Sequence, residues 1–388
     1  MKILYVPSLN MGVSYWRIES YATEMLKLHP DVKVTVKYFF DPRLGVAWDK
    51  LCVGFGDQSY EIQETLEQAF WFFDVIIFQK VQFKEACALI DTLKKKYPKV
   101  KVIAEIDDCI GDVTPSNPNY LQFKEHHRWA AEHCAISDGV IVSTEYLGNT
   151  IKDYNQNVHV VPNTVQPKLW KFNPNRKRVN KIVRVGYVAA GGHDEDLKLA
   201  YEAVVPLLGK SLKLIIRYGD LRPDWLLDSP HIDFKSVSWS LDEYPQKIED
   251  LNIDIALAPL RDTEFNRCKS NLKWIEWASH GVPLVASNVE PYKKTKGSIF
   301  LCENSPEQFT KQIKFLRDHR NFTNSAYRRR LKEELDKNYN ISTETAKLLK
   351  WLEDLKKEGN DNGGQHSNTV TDTIRGSGSE LRAQYFVL

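Results

Sequence analysis

The sequence has few cysteines, no long apolar segment and almost no net charge, and each shortage excludes a class of protein. Its six cysteines are scattered over 388 residues without a C-x-x-C pair. This excludes a disulfide scaffold and argues against a cysteine-ligated zinc site, so we expect reduced thiols. No run of about 18 apolar residues is present, so no transmembrane helix is expected. The apolar stretch at the N-terminus is too short for a secretory signal, which favours a cytoplasmic location.

The charge is nearly balanced, with 53 Lys and Arg against 51 Asp and Glu and a formal net charge of +2. A chain with this balance has no global field that favours nucleic acid or an anionic membrane. Local basic clusters do occur at 94–96 and 328–330. They are typical of solvated surfaces, yet they leave open an anionic acceptor and a peripheral contact with a membrane.

Short runs rich in Val and Ile alternate with helix-like segments along most of the chain. The runs are almost continuously apolar, as in strands that are buried on both faces of a parallel sheet. They fall at 3–7, 32–39, 74–78, 100–106, 139–143 and 158–161, and again at 182–188, 212–217, 232–237, 253–257, 283–286 and 299–302. The pattern predicts an α/β protein with two Rossmann-like, doubly wound parallel sheets that face each other across a cleft.

The domain limits follow from composition. The stretch 162–181 contains Pro162, Pro167 and Pro174 without a hydrophobic period, which marks it as a connection. We therefore predict a first domain at 1–170 and a second at 171–335. A charged terminal helix is predicted over 333–357, and the segment 336–358 is expected to pack back on the domains. Residues 359–388 are rich in Gly, Ser, Thr and Asn, and this composition predicts a disordered tail.

The segment 253–292 carries the most specific signal. A buried strand ends near Leu260, Ser270 is a good N-cap for a following helix, and Gly281 suits its C-terminal stop. A helix N-terminus with Lys269 beside it and Lys273 one turn on is suited to a diphosphate. Glu276 follows Lys269 by two turns, about 10 Å along the axis, where it could accept hydrogen bonds from ribose hydroxyls. The alternative is an ordinary solvated face with i,i+3 ion pairs.

A glycine-rich loop follows the first strand of the second domain. Gly191 and Gly192 permit close approach of the backbone to a ligand, and His193 could hydrogen-bond a donor phosphate. Alternatively, His193 caps its own helix. Residues 194–196 spell D-x-D, but acidic residues are expected in the first turn of a helix, so we do not interpret them as metal ligands.

These motifs together resemble the donor site of group-1 retaining glycosyltransferases of the GT-B fold. The resemblance is closest to a bacterial and phage subgroup with the pattern P-L…F-N-x-x-K-S-x-x-K-x-x-E…G-x-P. It is carried by Ala258-Pro259-Leu260, Phe265-Asn266, Lys269-Ser270, Lys273, Glu276 and Gly281-Val282-Pro283, and by the G-Y…H-x-x-D-L loop that begins at Gly186-Tyr187. It implies transfer of a sugar with retention from a nucleotide diphosphate sugar, UDP preferred and GDP second, to an acceptor hydroxyl. No metal or other cofactor is implied.

The resemblance also points to acceptor-side residues in the first domain. Gly12, Tyr15 and Arg17 form a G-x-x-Y-x-R run similar to that of the subgroup, with Arg17 in reach of a phosphate; the alternative is surface placement and packing. Asp107 and Asp108 end another strand. Two acids at the carboxyl end of a strand could position or deprotonate an acceptor hydroxyl, or they could simply solvate a loop.

The sequence departs from the wider family at two places. Cys268 occupies the position of the first Glu of the family's E-x7-E pattern, and the loop 189–193 lacks the family's arginine. Lys269 and Arg217 would then have to supply the missing positive charge. These departures keep open a nucleotide-sugar epimerase or hydrolase and a non-catalytic nucleotide-binding protein. A glycan, a lipid carrier, a protein and modified phage DNA are all compatible acceptors.

Overall fold

The computed structural model describes residues 1–7, 12–39, 50–55, 59–111, 120–167, 169–173, 182–240, 243–319, 322 and 324–361. The first three residues of the predicted tail, 359–361, belong to a helix that ends at Asp361, and the tail from residue 362 onward lies outside the described residues. No helix in the described ranges is long and apolar enough to span a bilayer.

The first domain is organised around a parallel sheet. Its strands are β1 (Lys2–Val6), β2 (Lys33–Val36), β3 (Tyr38–Phe39), β4 (Lys50–Phe55), β5 (Ser59–Thr65), β6 (Val75–Gln79), β7 (Lys101–Ile106), β8 (Gly139–Val142) and β9 (Val158–Val160). Six of them form a sheet in the order β2-β1-β6-β7-β8-β9, and every pairing in it is parallel. All five residues of β6 are buried, as the continuous apolar run predicts.

The helices of the first domain cover this sheet. They are α1 (Gly12–Ser14), α2 (Ser20–Leu28), α3 (Leu66–Phe70), α4 (Lys84–Lys96), α5 (Tyr120–Ile136) and α6 (Glu145–Ile151). A π-helical turn, Tyr15–Glu19, joins α1 to α2. The threonine before α6 fixes its start, because the Thr144 hydroxyl accepts a hydrogen bond from Leu147 N.

One part of the first domain was not predicted. Strands β3, β4 and β5 form a small antiparallel sheet of their own. The predicted strand 32–39 is accordingly two strands, since β2 ends at Val36 and Tyr38–Phe39 pair with β4.

The second domain, like the first, is organised around a six-stranded parallel sheet. Its strands are β10 (Val183–Ala189), β11 (Leu212–Tyr218), β12 (Ile232–Ser236), β13 (Ile255–Ala258), β14 (Leu284–Ser287) and β15 (Phe300–Cys302). Its helices are α7 (Asp194–Val204), α8 (Tyr244–Asp250), α9 (Glu264–Cys268), α10 (Leu272–Ser279), α11 (Glu290–Lys293) and α12 (Pro306–Asp318), with a 3-10 turn at Val205–Leu207. The sheet is parallel throughout, in the order β12-β11-β10-β13-β14-β15.

The C-terminal segment consists of two helices instead of the single helix predicted over 333–357. They are α13 (Ser325–Asn338) and α14 (Ile341–Asp361). Asn340 causes the break, because its side-chain oxygen accepts a hydrogen bond from Thr343 N at 3.0 Å and so starts a new helix. Helix α13 packs on the second domain through Leu331, and α14 returns to the first domain, where Leu352 packs in the core.

The two sheets point their carboxyl ends at each other. Three side chains that follow β8 and β9 in the chain, one of them in α6, bind the segment 264–270, which follows β13. Thr144 Oγ1 donates to Cys268 O at 3.2 Å, Tyr146 Oη donates to Glu264 Oε2 at 2.8 Å, and Asn163 Nδ2 donates to Ser270 Oγ at 2.7 Å. The predicted boundary near residue 170 falls between β9 and β10.

Candidate functional site

The site lies where the strand order of the second sheet reverses. Numbered along the chain, its strands run 3-2-1-4-5-6, so the reversal falls between β10 and β13. Ligands of such sheets bind in the crevice at this switch point, outside the carboxyl ends of the strands. The loops after β10 and β13 border the crevice, and Arg261 N donates to Asp196 Oδ1 at 3.1 Å between them.

The glycine loop after β10 is held in one conformation. Gly192 has φ +81° and donates its N–H to Asp220 Oδ2 at 2.7 Å. A Cβ at Gly191 would overlap the Asp220 carboxylate, so any side chain there would displace Asp220 from the loop. His193 N donates to Tyr218 Oη at 2.8 Å. The loop therefore lies at the switch point with the N–H groups of Gly192 and His193 donated within the domain, and its predicted approach to a ligand stays a prediction.

His193 lies at the N-terminus of α7 without capping it through its side chain. Its Nδ1 is 3.0 Å from Asp196 Oδ2, and its side chain is 28% exposed. The carboxylate orients the imidazole, which remains accessible beside the glycine loop. This placement is compatible with the predicted contact to a phosphate and leaves that contact a prediction.

The helix of the donor motif begins later than predicted. Helix α10 starts at Leu272 with Asn271 as its N-cap, so Ser270 is not the capping residue. Ser270 instead accepts the hydrogen bond from Asn163 of the first domain. Lys269 is extended, with φ −63° and ψ 158°, between α9 and α10. The prediction that Lys269 and Glu276 lie two turns apart on one helix is therefore wrong. The predicted end of the helix at Gly281, which has φ +64°, is confirmed.

Lys273 and Glu276 form a partly buried pair on α10. Lys273 Nζ is 2.9 Å from Glu276 Oε2, and Tyr244 Oη donates to the same oxygen at 3.1 Å. Burial alone would lower the pKa of Lys273, but the Glu276 charge outweighs it and raises the pKa. Since the Glu276 side chain is only 4% exposed, the pair is not a solvated helix face. Among the described residues, both hydrogen bonds go to Oε2 and leave Oε1 for a ligand.

An aromatic cluster packs against Tyr244, which donates the hydrogen bond to Glu276. Trp170 of the interdomain connection is buried and packs against Tyr244, with ring centroids 5.9 Å apart. Trp16 of the first domain packs on the other side of Trp170 at 5.5 Å. The position of Glu276 therefore depends on packing that both domains supply.

Cys268 does not face the crevice. Its side chain is fully buried in a core cluster of the first domain that also contains Cys109, Leu147 and Ile151. The neighbouring Cys109 thiol, followed by burial, raises the pKa of Cys268. The residue at the position of the family's first Glu is thus an apolar contact between the domains.

Arg217 is also directed away from the crevice. It lies within β11, and its guanidinium NH2 is 2.9 Å from Asp233 Oδ2 on the neighbouring strand β12. Arg217 is 5% exposed. Because its guanidinium is committed to Asp233, the structure does not place Arg217 as a diphosphate ligand, in contrast to the prediction.

Arg17 occupies the core of the first domain. Its Nε is 2.7 Å from Glu105 Oε1, and its NH1 donates to Val161 O and to Asn163 Oδ1. Both members of the pair are buried. The prediction that Arg17 contacts an acceptor phosphate is not supported by this geometry. Tyr15 is half-buried and packs edge-to-face on Trp16 with centroids 5.5 Å apart.

Gly12 begins helix α1, and residues 8–11 of the loop before it lie outside the described residues. That this loop lines the acceptor site therefore stays a prediction.

The acidic pair of the first domain lies at the cleft and has a basic partner. Asp107 and Asp108 follow β7, and Lys80, which follows β6, reaches both of them. Lys80 Nζ is 2.6 Å from Asp107 Oδ1 and 2.7 Å from Asp108 Oδ2. Burial, followed by the Asp108 charge, raises the pKa of Asp107 to about 7. Burial acts in the same direction on Asp108, but Lys80 and then Lys269 outweigh it and lower its pKa.

The interaction between Asp108 and Lys269 brings the two halves of the predicted site together. Lys269 belongs to the donor side, where its Nζ lies 5.0 Å from the centroid of the Phe265 ring. Asp108 belongs to the acceptor side, and its side chain is 40% exposed. The topology places the glycine loop, His193 and the Lys273–Glu276 pair at the switch point of the second sheet, and the Lys269 charge acts on the acidic pair. That these groups form one site stays a prediction. No cluster of three or more metal-ligating His, Cys, Asp or Glu occurs in the described part of the chain.

Several residues of this site were missed from the sequence. Lys80 had a detectable signal, since a charged residue directly after the buried strand β6 falls at the carboxyl end of the sheet. Tyr244 and Asn163 had none, because their roles depend on contacts over 32 and 107 residues.

Comparison with known proteins gives matches in structure but not in sequence. No protein-family model matches the chain, and no curated protein matches it. HepE of Anabaena, in complex with UDP and glucose, has a TM-score of 0.62 at 10% identity and covers 91% of this chain and 100% of its own. The fold is GT-B.

Two further structures agree with the GT-B fold. The catalytic domain of starch synthase IV from Arabidopsis thaliana, bound to ADP and acarbose, has a TM-score of 0.60 at 8% identity, covering 92% of this chain and 99% of its own. A UDP-forming α,α-trehalose-phosphate synthase from Burkholderia xenovorans has a TM-score of 0.60 at 11% identity, with coverage of 91% and 99%. The predicted α/β, two-domain GT-B architecture is confirmed.

Proposed function

We propose that this protein is a glycosyltransferase that moves a sugar, with retention, from a nucleotide diphosphate sugar to an acceptor hydroxyl. The observation that carries the proposal is the contact between the donor segment and the first domain, where Asn163 Nδ2 donates to Ser270 Oγ at 2.7 Å and the neighbouring Lys269 charge lowers the pKa of Asp108. UDP is the preferred nucleotide, and the structures of HepE with UDP and of the UDP-forming synthase support this choice.

The donor half of the proposal rests on complementary charges at the switch point. The glycine loop at the switch point lets a ligand approach its backbone closely, and Lys269 supplies a positive charge on the donor side. On α10, Glu276 is fixed by Lys273 and Tyr244 and accepts a ribose hydroxyl through Oε1. A cation for the diphosphate and a carboxylate for the sugar diol together fit a nucleotide and would not both be needed for a simple phosphate.

The main requirement of the chemical step is stabilisation of the leaving group. The bond between the anomeric carbon and the diphosphate oxygen breaks, the acceptor oxygen forms the new bond to that carbon, and the proton of the acceptor hydroxyl passes to the departing diphosphate. Negative charge grows on the diphosphate, and a preorganised cation such as Lys269 stabilises it, an effect often worth about 3 kcal/mol. Attack from the face of the leaving group gives retention without a protein nucleophile; this feature follows from the family resemblance. His193 lies beside the glycine loop as a further donor to the diphosphate.

The acceptor half rests on the acidic pair. Asp108, ionised and half-exposed at the cleft, accepts a hydrogen bond from the attacking hydroxyl and orients it. Asp107 lies deeper, and burial raises its pKa to about 7. The chemistry requires only a hydroxyl, so a glycan, a lipid carrier, a protein and modified phage DNA all remain acceptors to be tested.

A donor screen tests the proposal. The chain is incubated with UDP, GDP and ADP sugars and a cell lysate, and release of the nucleotide and the mass of any product are measured. Lys269→Ala should weaken nucleotide diphosphate binding in calorimetry, whereas Lys294→Ala, an exposed lysine of the same domain, should not. Unchanged binding by Lys269→Ala would contradict the site.

A nucleotide-binding protein without turnover is the second candidate. The burial of Cys268 in the domain interface favours it, because no carboxylate occupies that position to contact the transferred sugar. It predicts tight nucleotide binding without product in any fraction of the lysate. An epimerase or hydrolase would instead convert the donor when no acceptor is added.

A further inference from the structure

Two neighbouring aromatic side chains are exposed between α3 and β6 of the first domain. Trp71 is 64% exposed and Phe72 is 45% exposed, and their rings lie edge-to-face with centroids 6.0 Å apart. Phe70 and Phe73, on either side of them in the chain, are buried. Adjacent large rings left in water form an apolar patch of the kind that marks a contact with a protein or a membrane.

The aromatic pair lies at the edge of the first sheet that is opposite the cleft. It precedes β6, and Asp74 connects it to the starts of two neighbouring strands: Asp74 N donates to Lys2 O and Lys101 N donates to Asp74 O, both at 2.9 Å. The cleft lies at the other edge, where the strands have their carboxyl ends. Because a strand of five residues spans about 16 Å, a partner bound at the amino edge leaves the cleft open.

Three of the strands that start at this amino edge begin with a lysine. Lys2, Lys33 and Lys101 are the first residues of β1, β2 and β7. Lys2 is the partner of Lys33 in the parallel register, and Val75, the first residue of β6, is the partner of Lys101. The strand order β2-β1-β6-β7 therefore distributes the three lysines over about 14 Å of the edge.

The lysines and the aromatic rings form one surface. Lys2 Nζ lies 3.8 Å from the centroid of the Phe72 ring. The carboxylate between the strands is neutralised, because Asp74 Oδ1 is 2.9 Å from Lys356 Nζ and Asp74 Oδ2 accepts a hydrogen bond from Lys2 N at 2.7 Å. We refer to Trp71, Phe72, Lys2, Lys33 and Lys101 as the basic aromatic edge.

The acidic side chains around the basic aromatic edge are mostly paired. Glu67 of α3 pairs with Lys96, and Asp138, before β8, pairs with Lys94 at 3.1 Å. Asp31, before β2, is exposed. Since the lysines outnumber the acidic groups, this part of the surface is positive although the whole chain is nearly neutral.

Helix α2 adds apolar surface at the same edge. It returns the chain from β1 to the start of the parallel strand β2, so its last turn lies at the amino edge of the sheet. Leu26 and Leu28 are in that turn, and both are exposed. The apolar patch therefore extends along the edge beyond the two aromatic rings.

We propose that the basic aromatic edge docks the protein on a lipid bilayer that contains anionic lipids. Tryptophan and other aromatic rings are favoured at the headgroup level of a bilayer, and lysines beside them are attracted to its negative surface. Long lysine side chains also allow the ammonium to reach lipid phosphates while the rings enter the apolar boundary. The inference does not depend on the proposed function.

Sedimentation of the full chain with vesicles tests the inference. Binding to vesicles of phosphatidylcholine with one third phosphatidylglycerol should be at least about tenfold tighter than binding to phosphatidylcholine alone, and salt should weaken it. Trp71→Ser combined with Phe72→Ser should weaken binding to the anionic vesicles at least about tenfold, because the apolar area of two rings is lost. Leu221→Ser removes an exposed leucine of the second domain and is the matched control.

Charge reversal at the same edge tests the electrostatic part. Lys33→Glu combined with Lys101→Glu should weaken binding to the anionic vesicles at least about tenfold. Lys210→Glu combined with Lys294→Glu makes the same change of charge at exposed lysines of the second domain and should have a smaller effect. Thermal unfolding checks that each variant folds.

A further readout uses the ring of Trp71 in a chain that keeps its fold. Brominated lipid chains quench a tryptophan that enters the bilayer, so anionic vesicles should quench the wild-type chain more than Trp71→Phe, which retains a ring. The inference is overturned by equal quenching, by absence of binding to anionic vesicles, by equal binding to neutral vesicles, or by unchanged binding of either edge variant. A protein captured by the basic aromatic edge without vesicle binding would also overturn it.

Discussion

Replacement of Glu276 by glutamine separates the ribose contact from the diphosphate contact. The wild-type carboxylate accepts bonds from Lys273 and Tyr244 at Oε2, and we assign Oε1 to a ribose hydroxyl. Glutamine keeps the shape and one acceptor oxygen but loses the charge. A hydrogen bond to a charged group contributes about 1.5–3 kcal/mol, so Glu276→Gln should weaken UDP binding roughly ten- to a hundredfold.

Inorganic diphosphate gives the internal comparison. It has no ribose, and Glu276→Gln removes the negative charge that pairs with Lys273, so diphosphate should bind the variant as well as or better than the wild-type chain. Calorimetry with UDP and with diphosphate measures both affinities. Glu307→Gln, an exposed glutamate of the same domain, is the matched control. Equal losses for the two ligands, or no loss for UDP, would refute the ribose assignment.

Three further predictions follow from the interface and the first domain. Arg17→Met leaves the Glu105 carboxylate buried without its cation and should lower the free energy of unfolding by about 3–5 kcal/mol in chemical denaturation. Normal stability with lost turnover would instead support the contact of Arg17 with an acceptor phosphate. Cys268→Glu places a carboxylate against Cys109 and should cost about 3 kcal/mol or more, whereas a gain of turnover at unchanged stability would contradict the observed packing. Because the pKa of Asp107 is raised to about 7, the unfolded chain binds fewer protons than the folded one between about pH 4 and pH 7. Stability should therefore fall as pH rises through this window in unfolding titrations, and Asp107→Asn should reduce the fall.

The α/β fold could be predicted from the sequence because parallel strands buried on both faces leave a local signal. Strand β6 and its neighbours are continuous apolar runs, and each of the twelve predicted runs overlaps at least one strand of the structure. The small sheet of β3–β5 was missed, since β3 has only two residues and the pairing of β4 with β5 contains a register shift that the sequence pattern does not specify. The break at Asn340 was missed because a charged helical pattern continues on both sides of it.

The positions of candidate site residues could be predicted where those residues lie close together in the sequence. The glycine loop, Lys269, and the Lys273–Glu276 pair come from two short segments, and the structure places both segments at the switch point. Arg17 and Arg217 were assigned from charge alone, but each is neutralised by a carboxylate from another strand, Glu105 and Asp233, which the sequence pattern does not reveal. Pairing between distant strands decides whether such a charge reaches a ligand.

A crystal structure of the full chain with UDP tests the central claim most directly. We expect the diphosphate between the glycine loop at Gly191–Gly192 and Lys269 Nζ, at hydrogen-bond distance, with the ribose hydroxyls on Glu276. A diphosphate bound elsewhere on the chain, or a UDP-soaked crystal with Lys269 and Glu276 free of the nucleotide, would contradict the account.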